Sequence, residues 1–141
     1  MEEIYASKPL NDLGGKTRLN GLRILLVDDS DDNLNLFSRI LTTAGARVEL
    51  AHDGWEAIEK QKGQRFDTII MDVRMPEIDG YETTRRIRAN GFKGPMIALT
   101  AHALPGEEER CRAAGCSHFH LKPIDRNSLV AAVEAAACVH H

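Results

Sequence analysis

Three carboxylates, a hydroxyl and an ammonium stand where short apolar runs of this 141-residue chain end. Asp28 and Asp29 close ILLV, Asp72 closes TIIM, Thr100 closes MIAL, and Lys122 follows HFHL. Carboxylates brought together repel, so at least one holds its proton more tightly than in water unless a cation intervenes. Hard oxygen donors suit Mg2+, which binds through one or two carboxylates, keeps several waters and takes further oxygens from a phosphoryl group. A carboxylate is itself a nucleophile for phosphorus. Phosphoryl transfer asks mainly for positioning and neutralisation of oxygen charge, which Mg2+, Lys122 and the Thr100 hydroxyl would supply together. Taken singly, each residue has a plainer reading: Asp28 and Asp29 as helix caps, Asp72 in a turn, Thr100 in a strand, Lys122 as a solvated charge. Their joint placement at four strand ends is what points to chemistry.

The elements that must position them follow from apolar periodicity. The run after Arg23 is short and β-branched enough for a strand buried on both faces. Leu34, Phe37, Ile40, Leu41 and Ala44 then recur at three- and four-residue steps, a helical core stripe stopped at Gly45. The pattern repeats: strand 47–51, a helix from Trp55 to Lys62 burying Trp55, Ala57 and Ile58, strand 68–71, and a helix from about Tyr81 to Ala89. Strand MIAL, a helix opened by Pro105 and closed by Gly115, strand 118–121 and a last helix capped by Asp125 complete the series. In the fourth helix Glu107, Glu108 and Glu109 meet the positive end of the helix dipole. Five strands alternating with five helices predict an α/β, doubly wound fold with a parallel sheet. Ligand sites of such sheets form outside the carboxyl ends of the strands, where the polar residues fall. Residues 1–20 read as a tail or linker, 21–139 as the domain, and His140 and His141 as a tag remnant.

Four stretches carry a more specific signal: LLVDDS, IIMDVRMPEIDG, IALTA and FHLKP, in that order. With them the chain from Arg23 to about Ala137 resembles the receiver domain of two-component response regulators and hybrid histidine kinases. The resemblance implies a flavodoxin-like (βα)5 three-layer sandwich around a five-stranded sheet of order 2-1-3-4-5. It implies that Asp72 takes a phosphoryl group from phosphohistidine. Asp29, Asp72 and the backbone carbonyl of Arg74 would bind Mg2+ directly, with Asp28 acting through a metal-bound water. Lys122 would pair with Asp72 and then with the phosphoryl oxygens, Thr100 would donate a hydrogen bond, and Phe119 would be the switch aromatic. Arg74 and His102 match positions that influence loss of the phosphoryl group to water, and the long Arg74 side chain is expected to cover the site in part and slow that loss. The Lys122–Pro123 bond resembles one held cis in the family.

The partners so implied are a histidine kinase or phosphotransfer protein, and a downstream protein reading the face of the fourth helix, fifth strand and fifth helix. The segment LTAHALPGEEERCRAAGCSHFHLKPID favours a hybrid histidine kinase as parent over a stand-alone regulator. The domain is then no conventional enzyme, although it contributes to its own phosphorylation and dephosphorylation. A hydrolase working through an aspartyl-phosphate on a similar sheet is the alternative; it usually needs a second acid near the nucleophile, and Val73 and Arg74 follow Asp72. Net charge −3 without Lys or Arg runs argues against direct nucleic-acid or membrane contact. No apolar stretch approaches the roughly 20 residues that cross a bilayer. Three cysteines without framework spacing suit a reducing, cytoplasmic compartment. Cys111, Cys116, His118 and His120 offer zinc-type ligands, but at no common zinc spacing. Asp79 is assigned to capping a helix.

Overall fold

The computed structural model describes residues 18–101, 104–122 and 124–139, the side chains of 138 and 139 excepted. His102, the Lys122–Pro123 bond, and His140 and His141 lie outside the described residues. Ten elements alternate along the chain: β1 Arg23–Val27, α1 Asp31–Thr43, β2 Arg47–Ala51, α2 Gly54–Gly63 and β3 Thr68–Asp72, then α3 Gly80–Ala89, β4 Met96–Thr100, α4 Glu107–Ala114, β5 His118–Leu121 and α5 Arg126–Val139. The strands form one sheet of order β2-β1-β3-β4-β5. All pairings are parallel.

Strand alternation sorts the core into layers. Ile24 and Leu26 of β1, Ile70 of β3, and Ile97 and Leu99 of β4 face Leu34, Phe37 and Leu41 of α1 and Leu129 and Val133 of α5. Leu25, Val27, Ile69 and Met71 turn the other way, onto Ala57 and Ile58 of α2 and Ile87 of α3. β1 after Arg23 and β4 before Thr100 are apolar and buried, so the reactive groups of these two strands appear at the carboxyl edge. A third cluster, Val73, Tyr81, Ala98, Cys111, Ala114 and Cys116, packs half-buried Phe119 beneath α4.

Side chains close the helix starts. Ser30 accepts the Asn33 N–H, Asp53 that of Glu56 and Asp79 that of Glu82, while the Asp125 carboxylate accepts the Ser128 N–H at 2.7 Å. Asp79 is therefore the cap expected of it.

Three local expectations are corrected. Trp55 is 46% exposed, its ring stacked with the Arg86 guanidinium at 4.9 Å; Gly54 takes the inward position because an added Cβ would press on Thr83 and Ile78. Pro105 does not open α4 but lies two residues before it, because the helix starts at Glu107 after Gly106 at φ +82°. Ordered packing begins before residue 21, because Leu19 is fully buried in the α1/α5 layer and its N–H donates to the Ala44 carbonyl at 2.9 Å.

Candidate functional site

Strand order reverses direction between β1 and β3, since β2 lies on one side of β1 and β4 beyond β3. The register sets Val27 beside Met71, so the residues that follow, Asp28 and Asp72, emerge together at the carboxyl edge. Asp28, Asp29 and Asp72 each offer a carboxylate oxygen, and the three atoms lie within 4.8 Å of one another. Asp28 and Asp72 are buried and Asp29 is exposed.

Asp28 does not cap α1; Ser30 does. The Asp28 Oδ1 instead accepts the Ser30 N–H at 2.9 Å, and its Oδ2 accepts from Asn33 Nδ2 at 3.2 Å and from Lys122 Nζ at 2.9 Å. Lys122 comes from beyond β5 and is anchored there by its own N–H, which donates to the Thr100 carbonyl at 2.7 Å. Its ammonium also stands 3.6 Å from Asp72 Oδ1. One cation thus bridges two of the three carboxylates.

The charge balance remains negative, and it shows in Asp72. Burial pushes its carboxyl from 3.8 up to about 6, against the Lys122 ammonium, while Asp28 and Asp29 push the same way as burial. The Arg74 N–H, donating to Asp72 Oδ1 at 3.2 Å, favours the ionised form. All donors in the cluster are hard carboxylate oxygens, the set that suits Mg2+ and not a soft metal. Mg2+ would neutralise the same charge that holds the Asp72 proton.

Thr100, the last residue of β4, is fully buried. Phe119 pairs with Ala98 across β4 and β5, so by alternation it shares a sheet face with Thr100. The zinc-type residues sit elsewhere: Cys111 and Cys116 are buried in the cluster under α4, and burial pushes both thiols up, Cys111 to about 12. A thiol so hard to ionise is a poor metal ligand.

Two residues had no part in the sequence-based site. Glu107, placed by the sequence only as a charge at the positive end of the helix dipole, is 5% exposed. Its Oε2 accepts from Arg74 Nη2 at 3.1 Å and from Tyr81 Oη at 2.8 Å. Burial first and this hydrogen bond second hold the Tyr81 phenol well above its ordinary range. The signal was in the spacing: Glu107, Cys111 and Ala114 lie on one helical stripe, the buried one.

The loop that carries Arg74 closes on the helix behind it. The Gly80 N–H donates to the Val73 carbonyl at 2.9 Å. A Cβ on Gly80 would fall 2.7 Å from both the Asp72 carbonyl oxygen and Val73 Cα, atoms of backbone that cannot swing aside. Gly80→Ala is expected to cost about 1–3 kcal/mol through overpacking, measured by urea denaturation, and to displace the end of β3 that bears Asp72.

Residues 24–134 match the family described as the response regulator receiver domain. Among curated relatives, the signal transduction histidine-protein kinase BarA of Escherichia coli (strain K12) is 36% identical over 110 residues, which is 77% of this chain and 12% of that protein. The sensor protein GacS of Pseudomonas syringae pv. syringae is 33% identical over 139 residues, 94% of this chain and 15% of that protein. The chain thus spans a small part of the relatives it matches. The receiver domain of sensor histidine kinase PA1611 from Pseudomonas aeruginosa PAO1, crystallised with a magnesium ion in its active site cleft, superposes with a TM-score of 0.77 at 42% identity. That superposition covers 84% of this chain and 98% of that domain. Fold, edge cluster and sequence agree: the chain belongs to the response regulator receiver domain family.

Proposed function

We propose that this chain is the phosphoacceptor of a two-component phosphorelay, receiving a phosphoryl group from phosphohistidine on Asp72. The observation that carries the reading is the Asp72 carboxylate, buried at the switch point of the sheet with Lys122 Nζ at 3.6 Å and two further carboxylates alongside. An Asp72 oxygen attacks phosphorus, the P–N bond of phosphohistidine breaks, and its electron pair stays on the imidazole. Asp29, Asp72 and the Arg74 carbonyl would hold Mg2+, with Asp28 acting through a metal-bound water, and the ion would supply neutralisation of charge on the phosphoryl oxygens. Lys122 already faces Asp72 and needs little reorganisation to pair with the new oxygens. Val73 and Arg74, not an acid, directly follow Asp72, Asp79 is occupied in capping α3, and the short 73–79 connection supplies no cap region, which disfavours the hydrolase alternative.

In the same reading Thr100 donates to the phosphoryl group and Phe119 turns inward, altering the α4/β5/α5 face for a downstream partner. The donor is a histidine kinase or phosphotransfer protein. The identity to hybrid kinases supports a parent of that type and a cytoplasmic site of action. No helix among the described residues is long and apolar enough to cross a membrane.

Incubation with a small phosphodonor and Mg2+, followed by intact mass, is expected to show the gain of one phosphoryl group. The gain is expected to vanish in Asp72→Asn and on chelation of Mg2+. Phosphorylation that survives Asp72→Asn would remove Asp72 from its role.

A further inference from the structure

Among the described residues three acids are buried, Asp28, Asp72 and Glu107. The first two belong to the acceptor cluster; Glu107 serves something else. It ties together three segments at one point. Arg74 belongs to the loop after the acceptor, Tyr81 to the first turn of α3, and Leu104, whose N–H donates to Glu107 Oε1 at 3.3 Å, to the connection between β4 and α4. The Arg110 guanidinium lies over the Tyr81 ring at 4.2 Å and closes the group from the α4 side. A cavity of about 430 Å³ opens between these residues and reaches Asp29, so it borders the acceptor cluster.

Arg74 is the movable member. Its side chain is 48% exposed, while that of Glu107 is 5% exposed. Its main chain is pinned beside the acceptor by the N–H bond to Asp72 Oδ1 at 3.2 Å. A phosphoryl group on Asp72 carries nearly two negative charges where the carboxylate carried one, and it brings three acceptor oxygens near the root of this side chain. Guanidinium pairs with phosphate in a forked, charge-assisted geometry. Arg74 therefore has two anionic partners within its range, and it cannot satisfy both equally.

Resting on the phosphoacceptor reading above, we propose that Glu107 is a positioning residue for Arg74: it holds the guanidinium away from Asp72 and competes for it with the phosphoryl group. This competition sets how long the group survives. Hydrolysis forms a bond from a water oxygen to phosphorus, breaks the bond from phosphorus to the Asp72 oxygen, and returns the electron pair to the carboxylate. Arg74 laid over the phosphoryl oxygens obstructs the approaching water; Arg74 retained by Glu107 leaves the approach open. Loss of Arg74 also leaves Glu107 with two neutral donors, Tyr81 and the Leu104 N–H.

The test measures decay of the phosphorylated protein by intact mass after donor removal, with Mg2+ constant. Glu107→Gln keeps the shape and acceptor oxygen for Tyr81 but gives up the charge, so the lifetime is expected to lengthen by roughly fivefold, the scale of a half-exposed ion pair. Tyr81→Phe removes the competing neutral donor and ties Glu107 to Arg74 more firmly, so the lifetime is expected to shorten. Damage to folding would not move two variants in opposite directions. In an Arg74→Ala background both effects are expected to disappear. In the unphosphorylated protein, the NMR signal of the Arg74 Nε–H is expected to shift in Glu107→Gln. Phosphorylation of wild type with equal lifetimes in Glu107→Gln would overturn this inference alone. Absence of any phosphoryl gain in wild type would overturn the phosphoacceptor reading, and this inference with it.

Discussion

Lys122→Ala is expected to slow phosphorylation of Asp72 by a small phosphodonor by about 10²–10³-fold, the usual cost of removing one preorganised donor at developing negative charge. The ammonium is held before any phosphoryl group arrives. Asp28 accepts from it at 2.9 Å, Asp72 stands 3.6 Å away, and the Lys122 N–H is bonded to the Thr100 carbonyl at 2.7 Å. No water or solvated side chain reproduces a charge fixed from two sides. Because that charge also repels a divalent cation, Mg2+ is expected to bind Lys122→Ala at least as tightly as wild type. A slow variant with undiminished Mg2+ affinity separates loss of chemistry from loss of the metal site. The initial rate of mass gain and a Mg2+ titration of intrinsic fluorescence provide the two readings; a rate within threefold of wild type would remove Lys122 from the transfer step. Asp28 keeps its bonds from the Ser30 N–H and Asn33 Nδ2, so circular dichroism is expected to report a folded variant.

Asp72→Asn is expected to stabilise the metal-free protein near pH 7.5 by about 3 kcal/mol. Burial raises the Asp72 carboxyl from 3.8 to about 6 on folding, and each unit of difference is worth about 1.4 kcal/mol. The folded state holds this proton more tightly than the unfolded state. Stability from this group is therefore intact at low pH and is lost as pH rises from about 3.8 through about 6. Asparagine avoids the loss by carrying no charge in either state. The gain over wild type is expected to shrink below pH 6, to vanish near pH 4, and to fall when Mg2+ neutralises and binds the wild-type cluster. Urea denaturation at several pH values, with chelator and with Mg2+, checks all three. Equal stability at pH 7.5 without metal would mean that Lys122 compensates the cluster fully. On the proposed function, the same buried charge that weakens the resting fold would make the site receptive to a dication and to phosphoryl transfer, so stability would be given up where function needs it.

Much of this protein was legible in its residues. The stripes Leu34–Phe37–Leu41 and Leu129–Val133 face the sheet as their periodicity required. Asp79 and Asp125 cap helices because a short acceptor before a helical run has few other uses. The reading weakened where a position had two acceptable fates. Trp55 is apolar enough for the core, but Gly54 brings α2 so close to Ile78 and Thr83 that the indole is left outside, under Arg86. Leu19 stood among polar and glycine residues without period, and only its contact with the end of α1 brings it into the core.

By itself the order of residues determined the elements, the parallel fold and the strand ends at which Asp28, Asp29, Asp72, Thr100 and Lys122 would appear, because these depend on local periodicity and on the short reach of strand connections. Tertiary structure alone decided how closely these charges meet and which others join them. The Asp28–Lys122 pair spans 94 residues and the Arg74–Glu107 pair 33. Such contacts depend on strand register and helix placement to within an ångström or two, a precision that hydrophobic patterning does not encode.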